Sequence, residues 1–220
     1  MATELERIAA KARSDASLRF TSLAHHITPQ LLRKHLDKMP TSTASGVDQK
    51  TKAEAREAIG EWGPEILDAM HRRGYKAPPV RRVQIPKPGK SEKRPIGIPT
   101  VSDRALQGAV SEVLSTIYEQ DFLPCSYGGR PERSAHQAFS KLQHTISSCK
   151  VSWVFECDLK NFFGSLNHGW VEKFVSHRVG DPRIMSLIKR WLKAGVIEKG
   201  KFESSEVGTP QGGPRVPGRN

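Results

Sequence analysis

Asp158 lies within VSWVFECDLKNFFGSLNH, residues 151–168, and is the side chain whose setting most clearly suits chemistry. Val151, Trp153, Phe155 and Cys157 alternate with Ser152, Val154, Glu156 and Asp158, the two-residue period of a strand with one packed face. Such a strand delivers the Asp158 carboxylate at its C-terminal edge, and Phe162 and Phe163 follow within a turn. A carboxylate beside rings that can wall a pocket is one half of what metal-assisted phosphoryl transfer needs. Taken alone, an Asp at the end of a strand is more often a turn former or helix cap.

Cations are the second chemical feature. Between His71 and Arg104 stand ten Lys and Arg against Glu92 and Asp103, so 34 residues hold +8 of the net charge of +12. A basic surface so concentrated points to a polyanion, with nucleic acid ahead of an acidic membrane face. Gly89-Lys90-Ser91 imitates part of a phosphate loop, but Gln84 stands where that motif needs its first glycine.

Other classes are excluded by composition. Hydrophobic content of 36% and charged content of 26% describe a polar globular chain. No apolar run approaches the roughly 20 residues that cross a bilayer, and the N-terminus lacks an apolar signal core. Cys125, Cys149 and Cys157 have no CxxC spacing, which argues against a disulfide framework or zinc site and fits a reducing, cytoplasmic setting. His25, His26 and His35 have no acid or cysteine at ligand spacing and read as surface or capping residues.

The elements that must position these groups alternate in period. Residues 4–38 read as helical, with a second helix from Ser22 to Leu36 broken or kinked at Pro29. Asp48 or Thr51 caps a helix through Ala58, and Pro64 suits the first turn of another ending near Gly74. From Val80 the period becomes two, and PKPGKSEK joins two short strands into a hairpin with a basic tip. Ser102 caps a core helix carrying Leu106, Val110, Val113 and Ile117 on one stripe. Ser134 caps the next helix, two more follow the Asp158 strand, and Gly195–Gly208 reads as a hairpin turning at Lys199-Gly200. The fold class expected is α/β in the α+β sense: helix-rich, with a sheet too small for its helices.

Five stretches in order, ASGVDQKT, PVRRVQIPKPGKSEKRPIGIPTVSDRALQGAV, SYGGRPERSAHQA, FECDLKNFFGSLNH and GTPQGG, resemble group II intron reverse transcriptases, also called maturases. The resemblance implies a right-hand polymerase: an N-terminal helical extension over 1–74, fingers with the basic hairpin over 75–150, and a partial palm over 151–213. By position it makes Asp158 the catalytic, metal-binding carboxylate and gives the backbone carbonyl of Leu159 a share in the metal. It places Lys87, Arg94, Phe163 and Gln211 around the incoming nucleotide, and Arg81, Arg82, Tyr127, Arg130 and Arg133 along template RNA. Gly129 stands where the family usually has an aromatic, and Gly164 where it usually has an acid.

The implied partners are an intron RNA template, a DNA primer and deoxynucleoside triphosphates, with Mg²⁺ as cofactor and no membrane. After GTPQGG the family continues into an apolar helix and a Tyr-x-Asp-Asp hairpin, whereas here residues 214–220 read PRVPGRN, an aberrant tail. The expectation is a truncated copy, inactive alone unless a complementing chain supplies the remaining palm and thumb. The alternatives are a non-catalytic RNA-binding, maturase-like fragment that assists intron folding, and a decayed remnant.

Overall fold

A computed structural model describes residues 3–86, 89 and 93–209. Helices begin where the sequence supplies caps. α1 (Glu4–Ser14) starts at Thr3, whose side chain accepts from the Glu6 amide while the Glu6 carboxylate accepts from the Thr3 amide. α2 (Pro29–Lys38) starts at Thr28 with Pro29 as its first residue. Pro29 therefore opens a helix instead of kinking one, because a missing N–H costs nothing in the first turn. The residues before it, Ala24–His26, form a single 3-10 turn. α3 (Lys52–Glu57) is capped by Thr51 as expected. It runs through Ala58 into α4 (Ile59–His71), so Pro64 falls inside that helix and not in its first turn.

Strands β1 (Val80–Pro86) and β2 (Lys93–Ile98) form the expected hairpin. α5 (Val101–Tyr118) is capped by Thr100, whose side chain accepts from the Asp103 amide, and not by Ser102. α6 (Ala135–Ser148), α7 (Phe162–Ser165), α8 (His168–Arg178) and α9 (Pro182–Leu192) follow. β3 (Val196–Glu198) and β4 (Lys201–Glu203) turn at Lys199-Gly200. The two hairpins share one mixed sheet, in the order β2-β1-β3-β4. Their junction is parallel and spans only Val80↔Val196 and Arg81↔Ile197, too short to leave a pattern in the sequence.

The core gathers on α5. Leu106, Ala109, Val110, Val113 and Ile117 pack with Ile8 and Ala12 of α1, Leu32 of α2 and Ile184 and Leu187 of α9. Gly108 lets α2 approach: a Cβ there would lie 2.6 Å from His35 Nδ1. His35 Nε2 in turn meets Glu112 Oε2 at 2.9 Å.

Two buried polar side chains tie the C-terminal helices to the N-terminal segment. Arg178 donates to the carbonyls of Ala12, Asp15 and Leu18. Asp181, fully buried, accepts from the Leu23 and Ala24 amides at 2.7 and 2.9 Å and from the Arg183 amide and guanidinium. Burial raises its pKa, but the bonds from Arg183, Ala24 and Leu23 outweigh that and hold it at about 2. A depressed folded pKa contributes stability above the unfolded value, and that contribution is lost as pH falls towards the folded one. Acid titration of wild type should therefore show a loss of stability between about pH 4 and 2 that Asp181→Ala lacks. At neutral pH Asp181→Ala is expected to cost about 3 kcal/mol, since two buried amides lose their acceptor. Urea denaturation at a series of pH values measures both.

Candidate functional site

The basic hairpin is held from both sides. Gly46 lies against Thr100, where an added Cβ would come within 2.5 Å of the Thr100 Cα. That contact brings the loop carbonyl of Ser45 to Arg81, which donates to it through Nε (3.0 Å) and Nη2 (2.6 Å). Arg104 likewise donates to Thr43 Oγ1 and the Ala44 carbonyl. On the other side, Arg82 Nη1 lies 2.9 Å from Glu203 and 3.4 Å from Glu198, and Gln84 donates to Glu198 at 3.0 Å. Arg81 and Arg82, expected along the template, thus also make internal contacts, through Nε and Nη2 of Arg81 and Nη1 of Arg82. Arg94 stands opposite Ile85 in the β-ladder, while Lys87 lies outside the described residues.

The Asp158 stretch departs from expectation. Residues 151–159 pair with no strand, and every one of them is exposed, with Trp153 at 92% and Phe155 at 88%. Alternation alone does not make a strand, because backbone N–H and C=O groups need a ladder partner. Among the described residues no strand flanks this segment. Asp158 has no hydrogen-bond or ion-pair partner among them, and Leu159 is exposed beside it.

Beyond Asp158 the chain is ordered by a tight clasp. Asn161 takes a left-handed turn (φ 53°) into α7. Phe162 and Phe163 stand edge to face, with centroids 5.4 Å apart. The Thr209 amide donates to the Phe163 carbonyl, and the Gly208 amide to that of Leu166, both at 2.7 Å. His168 Nε2, buried, lies 2.7 Å from the Gly208 carbonyl. Gly208 has φ +79°, and a Cβ on it would sit 2.7 Å from the Gly164 carbonyl, so the close approach requires glycine. Phe163 is thereby fixed against the start of GTPQGG, although Gln211 lies outside the described residues.

A cavity of about 500 Å³ connects the remaining stretches. Gly97 and Pro99 from the end of β2, Gly129 from the loop after α5, and Thr209 all line it, against Val110 and Leu114 of α5. Asp103, only 1% exposed, lies at its base and accepts from Tyr75 Oη (2.7 Å), Trp191 Nε1 (2.7 Å) and Gln107 Nε2 (2.8 Å). Burial pushes the Asp103 carboxyl up against the pull of those three donors, and pushes the Tyr75 hydroxyl up as well. In the sequence Asp103 precedes Leu106 and Val110 on the buried stripe of α5, which is the signal of a satisfied internal acid.

The loop after α5 is built around Arg130. Its guanidinium is buried, pairs with Glu119 at 3.0 Å, donates to the Leu123 and Ser126 carbonyls, and covers the Phe122 ring. Arg133 lies over the Tyr127 ring at 5.4 Å. Arg130 therefore shapes the loop, and Tyr127 and Arg133 are the half-buried pair on it.

For a divalent cation, Asp158 and the Leu159 carbonyl offer hard oxygen donors of the kind Mg²⁺ takes. One carboxylate and one carbonyl do not fill an octahedral shell, and two ions at fixed separation exceed this donor set. Among the described residues the one cluster of three side chains of ligating type is elsewhere, at Glu4, His25 and His26.

The profile of the reverse transcriptase (RNA-dependent DNA polymerase) family matches residues 85–218. Protein YkfC of Escherichia coli K12 is 37% identical over 96% of this chain, and the group II intron-encoded protein LtrA of Lactococcus lactis is 34% identical over 68% of it. The chain spans 57% of the length of the first and 24% of the second. Among solved structures, a partial Cas6-RT-Cas1–Cas2 complex aligns with 89% of this chain and 32% of its own at a TM-score of 0.55 and 20% identity, a likeness of fold. No helix among the described residues is long and apolar enough to cross a membrane.

Proposed function

Because the chain belongs to the reverse transcriptase (RNA-dependent DNA polymerase) family, we propose that it is the fingers and first palm segment of a group II intron-type enzyme that copies intron RNA into DNA from a DNA primer and deoxynucleoside triphosphates. One observation carries this reading: stretches distant in sequence converge. Gly97, Gly129 and Thr209 line one cavity, and Thr209 is hydrogen-bonded to Phe163, five residues beyond Asp158. In this proposal Lys87 and Arg94 hold the triphosphate, Phe163 and Gln211 border the sugar and base, and Asp158 with Leu159 contributes to a Mg²⁺ site. Bound there, Mg²⁺ neutralises phosphate charge as the primer hydroxyl attacks. The chain's own part is to hold the nucleotide and template in line for that attack.

A complementing polypeptide completes the site in this reading. Residues 135–161 form an arm with no buried side chain, comprising amphipathic α6 with Phe139, Leu142 and Ile146 exposed and the unpaired 151–159 segment after it. A partner strand beside 151–159 would satisfy its backbone and cover Trp153 and Phe155. The length by which the relatives exceed this chain is the source we assign to it.

The test is primer extension on an RNA template with the 1–220 chain alone, with the remaining portion of YkfC alone, and with both. Templated incorporation is expected only with both. Its absence from a mixture that forms a complex and binds template–primer would refute catalysis by this pair. The exposure of Asp158, with no partner among the described residues, favours a second reading, an RNA-binding module without catalysis. Both readings predict that log affinity for RNA falls linearly with log salt. Lys93→Ala, at an exposed cation on β2, should lower that slope by about one unit. Arg82→Ala should change it less, since Arg82 already faces Glu198 and Glu203. Fluorescence anisotropy over a salt series reads both.

A further inference from the structure

We infer that Glu4, His25 and His26 form a binding site for a borderline transition-metal cation, with Zn²⁺ the best fit. Each of the three offers one ligating atom, and these atoms lie within 4.8 Å of one another. They come from two elements, the first turn of α1 and the 3-10 turn before α2, so sequence spacing did not reveal them. The His25 and His26 ring centroids are 3.8 Å apart with their planes tilted by 42°, and His26 Nδ1 already meets Glu4 Oε2 at 3.0 Å.

The site is built on rigid supports. Leu23 and Ala24 are fully buried and Ile27 nearly so, and Asp181 grips the Leu23 and Ala24 amides, so the backbone that carries both imidazoles is fixed. Glu4 belongs to a helix turn locked by the Thr3–Glu6 box. Pre-set ligands lose little freedom on binding. Zn–N and Zn–O distances of about 2.0–2.2 Å bring two ligand atoms to within roughly 4 Å of each other. Rotation of the exposed Glu4 and His25 side chains is enough to close that gap. Two imidazoles and a carboxylate favour Zn²⁺ over Mg²⁺ or Ca²⁺, which prefer oxygen alone, and water completes the tetrahedron.

A bound ion would clip the start of α1 to the turn before α2, and so hold Ile8 and Ala12 of α1 in the core.

The experiment uses the untagged 1–220 chain, freed of metal and titrated with ZnCl₂ by calorimetry, and with Co²⁺ followed by visible absorption. Saturable one-to-one Zn²⁺ binding is expected, with the intense visible band of tetrahedral Co²⁺. The thermal midpoint should rise with Zn²⁺ in wild type. Loss of one ligand should weaken binding at least about tenfold, so His25→Ala and Glu4→Gln should each do so and remove the thermal shift. Both residues are exposed, and circular dichroism checks that the variants fold. A variant pair that binds like wild type would place the ion at another group, such as the exposed Cys125, Cys149 or Cys157, and would overturn the assignment. So would the lack of saturable binding by wild type.

Discussion

Asp158→Ala is expected to lower templated nucleotide incorporation by the two-chain assembly by about 10³-fold or more while leaving RNA affinity within about twofold. The reasoning starts from charge. In-line displacement at a phosphate builds negative charge on non-bridging oxygens, and a site that loses a carboxylate loses its grip on the cations that neutralise it. Several kcal/mol of barrier correspond to that rate. In the proposed reading RNA affinity is set instead by exposed cations such as Lys93, and removal of one exposed carboxylate from a chain of net charge +12 alters it little. An equal fall in affinity and rate would mean that Asp158 supports RNA binding and not chemistry. The single chain gives a second discrimination. One carboxylate and one carbonyl cannot fix two cations, so 1–220 alone should not extend a primer; Mg²⁺-dependent extension by it, abolished in Asp158→Ala, would overturn that argument.

Local signals in the sequence translated well, and pairings across distance did not. Thr51 and Ser134 cap the helices they precede, and β1 and β2 follow the alternation of Val83, Ile85, Ile96 and Ile98. These depend on neighbours a few residues apart. The helix expected from Ser22 begins seven residues later, at Pro29, and the one expected to be capped by Ser102 is capped two residues earlier, by Thr100, because proline is favoured in a first turn and neighbouring residues compete as caps. The parallel contact between β1 and β3 joins residues more than a hundred positions apart and left no periodic trace.

The Asp158 segment shows the reverse. Its residues alternate with a period of two, yet a strand is a property of a pair, and among the described residues the other member is absent. For the site, residue type was legible where charge decides, as in the cationic hairpin. It was silent on internal partners: Arg81, Arg82 and Arg130, expected along the template, also bind Ser45, Glu198, Glu203 and Glu119 within the fold.

Arg178→Met should cost about 3–5 kcal/mol, the largest stability loss expected from any single substitution considered for this chain. Arg178 is 1% exposed, and its two terminal nitrogens donate to the carbonyls of Ala12, Asp15 and Leu18 at 2.9–3.1 Å. Its Nε stands 3.0 Å from Asp121 Oδ2 without the alignment of a hydrogen bond, and its plane lies over the Phe20 ring. Ala12 is in the last turn of α1, where carbonyls have no partner within the helix, so the guanidinium of α8 caps α1 from outside. Methionine keeps the packing volume but leaves three carbonyls without their donor and Asp121 without its cation. Replacement of a whole buried ion pair by apolar groups can be neutral, but here only one partner is removed. At 2–4 °C per kcal/mol for a chain of this length, the thermal midpoint should fall by roughly 10 °C. Arg178→Lys should recover only a minor part, since one ammonium cannot span the three carbonyls and Asp121 as a planar fork does. A methionine variant as stable as wild type would show that α1 is held by Ile8 and Ala12 alone, and that this buried charge is retained for a reason other than stability.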